Sequence, residues 1–179
     1  MVTPAQVVGY WRDAGPGKWF GRDEAFDGAF RERFETAHFA ASRGEHDAWA
    51  STAEGALALL VLLDQFPRNC FRGSAHSYAT DGLARRHARN AIEAGFDLQV
   101  EAALRLFFYL PFEHSEAMPD QDYAVQLIAG TGNQELMKFA VLHRDLIADF
   151  GRFPHRNAAL RRESTPEELD YLANGGFSG

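Results

Sequence analysis

The sequence predicts an all-α protein, a single domain of seven or eight helices over residues 1–179. Three observations carry that prediction. Helix-start signals recur as Thr3-Pro4-Ala5-Gln6, Ser51-Thr52-Ala53-Glu54 and Thr165-Pro166-Glu167-Glu168, each a Ser or Thr followed three residues later by Glu or Gln. Apolar residues recur at spacings of three and four, the repeat of one helix face. No stretch alternates apolar and polar residues with the period of two that a half-buried strand requires.

The elements follow in order. Thr3 caps a first helix with Pro4 at its first position, and Gly15-Pro16-Gly17 stops it after about Asp13. A second helix opens near Asp23, lines Phe26, Phe30, Phe34 and Ala37 on one face, and ends around Gly44. The run from 56 to 65 is apolar on all sides, so it predicts a central buried helix, started by the Ser51 box or earlier, near Asp47. Thr80 or Asp81 caps a fourth helix with Leu83, Ala84, His87, Ala91 and Ile92 inward, Arg85, Arg86, Arg89 and Glu93 outward, and Gly95 as its C-terminal cap. A fifth helix from about Leu98 carries Val100, Leu104, Phe107 and Phe108, and Pro111 ends or kinks it. A sixth begins near Pro119. A seventh, from about Asn133 to Phe150, sets Leu136, Phe139, Ala140, His143, Ile147 and Phe150 on its apolar stripe. Thr165 starts a short terminal helix that Gly175-Gly176 ends, and short connections favour antiparallel neighbours throughout.

Composition excludes several function classes. A chain of 179 residues with 46% apolar content and fifteen phenylalanines buries enough surface to fold without disulfides or metal. The net charge of -7 argues against a protein that neutralises nucleic-acid phosphates. The single cysteine, Cys70, suits a reducing compartment. The first residues show no basic and apolar leader, and the longest apolar run, Ala56 to Leu63, falls far short of the roughly 20 residues of a membrane helix, so the expected setting is cytoplasmic, with no membrane partner. No P-loop, dinucleotide fingerprint, nucleophile elbow or zinc-ligand array is present, and the expectation is therefore no cofactor and no metal.

Polar residues cluster where apolar helices end. Leu62-Leu63-Asp64-Gln65-Phe66-Pro67-Arg68-Asn69 closes the central run, Leu110-Pro111-Phe112-Glu113-His114-Ser115-Glu116 closes the fifth helix, and Phe150-Gly151-Arg152-Phe153-Pro154-His155-Arg156-Asn157 closes the seventh. Three such clusters suggest one shared site, with Asp64, His114 and His155 as catalytic candidates and Arg68, Asn69, Glu113, Glu116, Arg156 and Asn157 as ligand-binding candidates. The structural alternative is that Asp64 is a buried ion-pair partner of Arg68, Arg105 or Arg156, and that the arginines and asparagines satisfy helix-end carbonyls. Pro67 is expected to push Phe66 out of the helical region, so that Asp64 and Arg68 need not meet. The functional alternative is a clamp of planar guanidinium groups on a carboxylate or phosphate, with Glu113, His114 and Glu116 offering acid, base and metal-ligand chemistry against the plainer reading of a water-facing turn after Pro111, and with His155 aimed by its neighbours Pro154 and Arg156. Glu35-Thr36-Ala37-His38 has the spacing of a di-iron half-site but stands without the second pair that such a site needs, and His143 falls in the apolar stripe as a core histidine. Cys70 is read as a small hydrophobe rather than a nucleophile.

These motifs in this order, together with Arg72-Gly73, Ala79-Thr80-Asp81 and Glu163-Ser164-Thr165-Pro166-Glu167-Glu168, resemble the bacterial family called domain of unknown function 924. Trp11, Trp19-Phe20 and Phe26-Asp27 fit the same pattern. The resemblance implies an all-helical fold similar to tetratricopeptide-type α-α superhelices, and no established activity. Two function classes follow: a site for a small polar or anionic ligand, or a helical module that holds a peptide or protein partner. Exposure of Trp11, Trp19 and Phe20 as a patch would point to a dimer surface.

Overall fold

The structure, a computed structural model, describes residues 2–179, and every regular element among them is helical. Two compact units are present. The first takes the chain through Arg72 and then His76–Pro111; the second takes Gly73–Ala75 and Phe112–Gly179.

In the first unit, α1 (Pro4–Ala14) opens on the expected reciprocal cap, in which the Thr3 hydroxyl accepts from the Gln6 N–H and the Gln6 side chain accepts from the Thr3 N–H. The short α2 (Pro16–Trp19) turns the chain, and the Trp19 indole donates to the Trp11 carbonyl at 2.6 Å. Asp23 caps α3 (Glu24–Ser42) by accepting from the Phe26 N–H. Tyr10 stacks on Phe26 and Phe30, while Trp11 packs on Trp19, Phe30 and Phe107. Trp11 is 0% and Trp19 8% exposed, so these rings are core; of the three aromatics considered for a dimer patch, only Phe20 faces solvent.

The central helix α4 (Ala53–Leu60) is capped by Thr52, not Ser51: the Thr52 hydroxyl accepts from the Gly55 N–H, and no carboxamide or carboxylate stands at the reciprocal position. A 3₁₀ turn, Asp47–Ser51, leads in so closely that a β-carbon at residue 55 would collide with the Trp49 carbonyl, which is why glycine stands there. Every residue from Gly55 through Pro67 is buried. At Val61–Gln65 the helix widens into a π-turn, the Phe66 N–H reaching five residues back to the Val61 carbonyl, and continues as α5 (Phe66–Cys70). Phe66 keeps helical angles (φ −53°, ψ −50°), contrary to the expectation that Pro67 would expel it; the wider turn accommodates the proline without breaking the helix.

Around this axis pack α1, α3 and α6 (Asp81–Glu93). Thr80 stands at the cap position of α6, yet its hydroxyl serves another partner, described below. Ala84, His87 and Ala91 turn inward as predicted and Ala88 joins them, while Leu83 and Ile92, expected on the same face, are only half-buried. The helix expected from Leu98 starts later: Asp97–Gln99 is a 3₁₀ turn, Leu98 is 66% exposed, and α7 (Leu106–Glu113) begins after a further run of turns. Pro111 does not stop α7 at once; the helix ends two residues later.

In the second unit α8 (Met118–Ala129) and α9 (Gln134–Phe150) pack against each other as a hairpin. Asn133 caps α9, and Gly151 at φ 69° closes it, a left-handed angle that glycine adopts without cost. Leu146, Ile147 and Phe153 form the core with Met118, Phe150, Tyr171 and Phe177 packed on it. Phe139, expected on the inner stripe, is 52% exposed instead. The second reciprocal cap, Thr165 with Glu168, opens α10 (Pro166–Ala173) as predicted. Among the described residues no helix is long and apolar enough to cross a membrane.

Candidate functional site

The first polar cluster is built by the π-turn. A widened turn followed by proline leaves backbone carbonyls without helical donors: Phe66 gives its N–H to Val61, and Pro67 has none to give to Leu62 or Leu63. Side chains replace the missing donors. His38 Nδ1 donates to the Leu62 carbonyl at 2.8 Å, the Thr80 hydroxyl to that of Leu63 at 2.5 Å, and Arg68 Nη1 to that of Asp64 at 2.9 Å.

Because the Leu62 oxygen only accepts, His38 carries its proton on Nδ1. Its Nε2 accepts from His76 Nε2 at 2.9 Å. Burial pulls the His38 pKa below the ordinary histidine range, outweighing the hydrogen bond to Leu62.

Arg68 also holds two acids. Its Nη1 lies 3.1 Å from Asp64 Oδ1, the i,i+4 ion pair of the structural alternative, formed although Pro67 did not require it, and its two arms reach Asp81 Oδ1 and Oδ2 at 2.8 and 3.0 Å. Burial opposes the guanidinium charge, but Asp64 and Asp81 overcome it and hold Arg68 above the usual arginine range. Gln65 donates to the other Asp64 oxygen at 2.6 Å. Asn69 donates to Asp27, which Arg72 also contacts. Burial first, and then Asp27, push the Cys70 thiol up to about 12, far from the thiolate that nucleophilic chemistry needs.

The second unit holds the other two clusters. Glu113 and His143 are 4% and 7% exposed. His143 Nδ1 lies 2.8 Å from the Phe139 carbonyl and 3.2 Å from Glu113 Oε1. Both neighbours are acceptors, so the proton sits on Nδ1 and the ring presents Nε2 as its basic atom. The ring of His114 is 6.4 Å from that of His143, Phe177 packs between His143 and His155 at 4.7 and 5.3 Å, and Phe153 touches both at 5.5 and 5.6 Å. Two histidines, His143 and His155, thus flank two phenylalanines, and His114 stands beside the first of them.

The loop that presents this group is fixed at consecutive carbonyls. Gln121 Nε2 donates to Glu113 and Ser115, both at 2.7 Å, and Arg156 Nη2 donates to His114 at 3.0 Å while packing over the Phe153 ring. Glu116 is held by both arms of Arg162 and by the Phe153 N–H; burial works against its charge, yet these donors keep its carboxyl below the usual range. Asn157 bridges Ser164, Glu168 and Arg162. Arg152 is paired through two bonds with Glu168, whose carboxyl falls to about 2, chiefly through Arg152.

Of the predicted residues, then, Asp64 and Arg68 meet in the first unit, with Asn69 one turn on and bonded elsewhere. In the second, Arg156 bonds the His114 carbonyl, Glu113 pairs with His143, and His155 lies across Phe177 from His143. Asp81, Asp27, His38 and Arg162 carry as much of these networks as the predicted residues do, and His143 is a partner of Glu113 rather than only a core histidine. Helix signals do not find them, because the partners lie between 13 and 46 residues away in the chain. Among the described residues no group of three His, Cys, Asp or Glu side chains is arranged to hold a metal ion.

Residues 7–176 match the family model described as "Bacterial protein of unknown function (DUF924)". No curated protein matches the chain. The solved structure of a protein of unknown function from Agrobacterium tumefaciens is 54% identical, with a TM-score of 0.93, over 96% of this chain and 97% of that one.

Proposed function

Because the chain belongs to the DUF924 family of bacterial proteins of unknown function, kinship names no reaction, and we propose from the geometry that its second unit binds a small polar or anionic ligand and moves a proton on it. The observation that carries this reading is the Glu113–His143 pair. A carboxylate on Nδ1 fixes the ring's tautomer and supports the imidazolium that forms when Nε2 takes a proton, the role an acid plays behind a general-base histidine. His114 and His155, both half-buried, complete the group, and the three fixed carbonyls of residues 113–115 keep it from rearranging. Arg68 has the first unit's π-turn and the buried Asp64 to hold, Asn69 holds Asp27, and all three stand outside this proposal.

The test is a thermal-shift screen of polar and anionic metabolites, repeated on His155→Ala and Glu113→Gln. A ligand that stabilises the wild type and binds more weakly to folded His155→Ala supports the reading. Equal binding by both variants would remove it.

A second reading, a tetratricopeptide-like α-α superhelical module for a peptide or protein partner, draws on the exposed Phe139, Val141 and Leu142 of α9. Loss of a co-purifying partner in Phe139→Asp, with ligand binding intact, would favour it. A cytoplasmic setting belongs to the same proposals, supported by the lone thiol of Cys70.

A further inference from the structure

We propose that a groove on the first unit, between α1 and α3, binds a short zwitterionic peptide with an aromatic side chain. The groove encloses about 410 Å³, within the range of small-molecule sites, and Gln6, Gly9, Tyr10 and Asp13 form one continuous face of α1 along it. Small residues make the space: Ala5, Gly9 and Ala14 line it, and a β-carbon at Gly9 would meet nothing within 4 Å. The floor is aromatic, Tyr10 stacked on Phe26 at 5.4 Å with planes 16° apart. The Arg33 guanidinium lies 5.4 Å from the Tyr10 ring centre.

What sets the groove apart is unspent chemistry. The acids and arginines of the sequence motifs are consumed by one another, as Arg68 is by Asp64 and Asp81 and Glu116 by Arg162. Among the described residues, Asp13, the Tyr10 hydroxyl and the donors of Arg33 have no hydrogen-bond or ion-pair partner within the protein, although all three line the same cavity. An anion, a cation and a hydroxyl around a flat apolar floor complement a ligand that carries one ammonium, one carboxylate and a ring.

Length narrows the class. The lining runs along α1 from Gln6 to Asp13, seven residues and about 10 Å of groove at 1.5 Å per residue. An extended peptide covers that distance in about three residues. The ammonium then pairs with Asp13, the carboxylate with the planar fork of Arg33, and the aromatic side chain lies on Tyr10 and Phe26.

Amide chemical shifts of the full chain, titrated with the tripeptide Ala-Phe-Ala and its N-acetyl and C-amide forms, test the proposal. Shifts should concentrate at Gly9, Tyr10, Asp13, Phe26 and Arg33. Amidating the carboxylate should weaken binding about fivefold, the upper scale of an exposed ion pair, in the wild type but not in Arg33→Gln; acetylating the amine should do so in the wild type but not in Asp13→Asn. Both variants change surface side chains and should keep the wild-type helical spectrum. Gly9→Ala should weaken all three peptides by narrowing the groove. The absence of shifts at millimolar peptide, equal binding of Ala-Ala-Ala, or capping effects that persist in both variants would each overturn the assignment.

Discussion

Arg68 neutralises two acids at once, and that decides what its loss should cost. With Asp64 removed the guanidinium still holds Asp81 through two bonds, so Asp64→Asn leaves no stranded charge. Removing the arginine leaves two buried carboxylates facing each other. Arg68→Met should therefore destabilise the protein by about 3–5 kcal/mol, the scale for breaking a buried pair, and Asp64→Asn by clearly less. Urea melts of the two variants check the order; equal losses would mean that Asp64 is the dominant partner. At Cys70, burial and Asp27 hold the thiol protonated up to about pH 12. Its alkylation at pH 8 should accordingly be much slower in the native protein than in urea, where the thiol returns to its ordinary range.

The π-turn shows what one helix register costs and how its neighbours repair it. Pro67 denies donors to the Leu62 and Leu63 carbonyls, and residues from α3 and the start of α6 supply them. Thr80→Val keeps the shape and removes the donor to Leu63, so it should cost about 1–3 kcal/mol, the penalty of a buried acceptor left unpaired. Glycines in two helices should respond in opposite directions. Gly55→Ala drives a methyl into the Trp49 carbonyl and should cost about 3 kcal/mol, at the top of the overpacking range, whereas Gly9→Ala enters open space and should gain up to about 1 kcal/mol of helix propensity. Denaturant midpoints of both variants measure this.

Elements written in local signals were legible in advance. The Thr3 and Thr165 caps and, Phe139 apart, the 3.6-residue stripe of α9 each depend on residues within a turn or two. The widened turn was not legible, because proline after an apolar helix reads as a stop unless distant donors are known to be waiting. The Asp27–Asn69 and Glu113–His143 contacts were hidden for the same reason: chain separation, not residue type, decides them.

On the scale of the whole molecule, acid should act in two stages. Burial depresses His38 and His87 below about 6.5, so the unfolded chain takes up their protons first; the stability they contribute is present above that pH and is lost as pH falls through their folded values. Glu116 and Glu168 are held below about 4.5, Glu168 at about 2, so their contribution is present above 4.5 and is lost between there and about 2. Urea midpoints should decline first below about pH 6.5 and again below about pH 4.5; a midpoint at pH 3 equal to that at pH 8 would contradict both assignments.

The two histidines lie in the first unit and the two glutamates in the second. The division into units also partitions the chain's optical reporters. All three tryptophans, Trp11, Trp19 and Trp49, belong to the first unit, while the second has only phenylalanine, tyrosine and histidine rings. Indole emission excited at the red edge therefore watches one unit alone, whereas far-ultraviolet circular dichroism sums the helices of both. Melting curves that superimpose by the two methods would mark a single cooperative transition, and curves that separate would time the two halves of the chain individually, with no label attached.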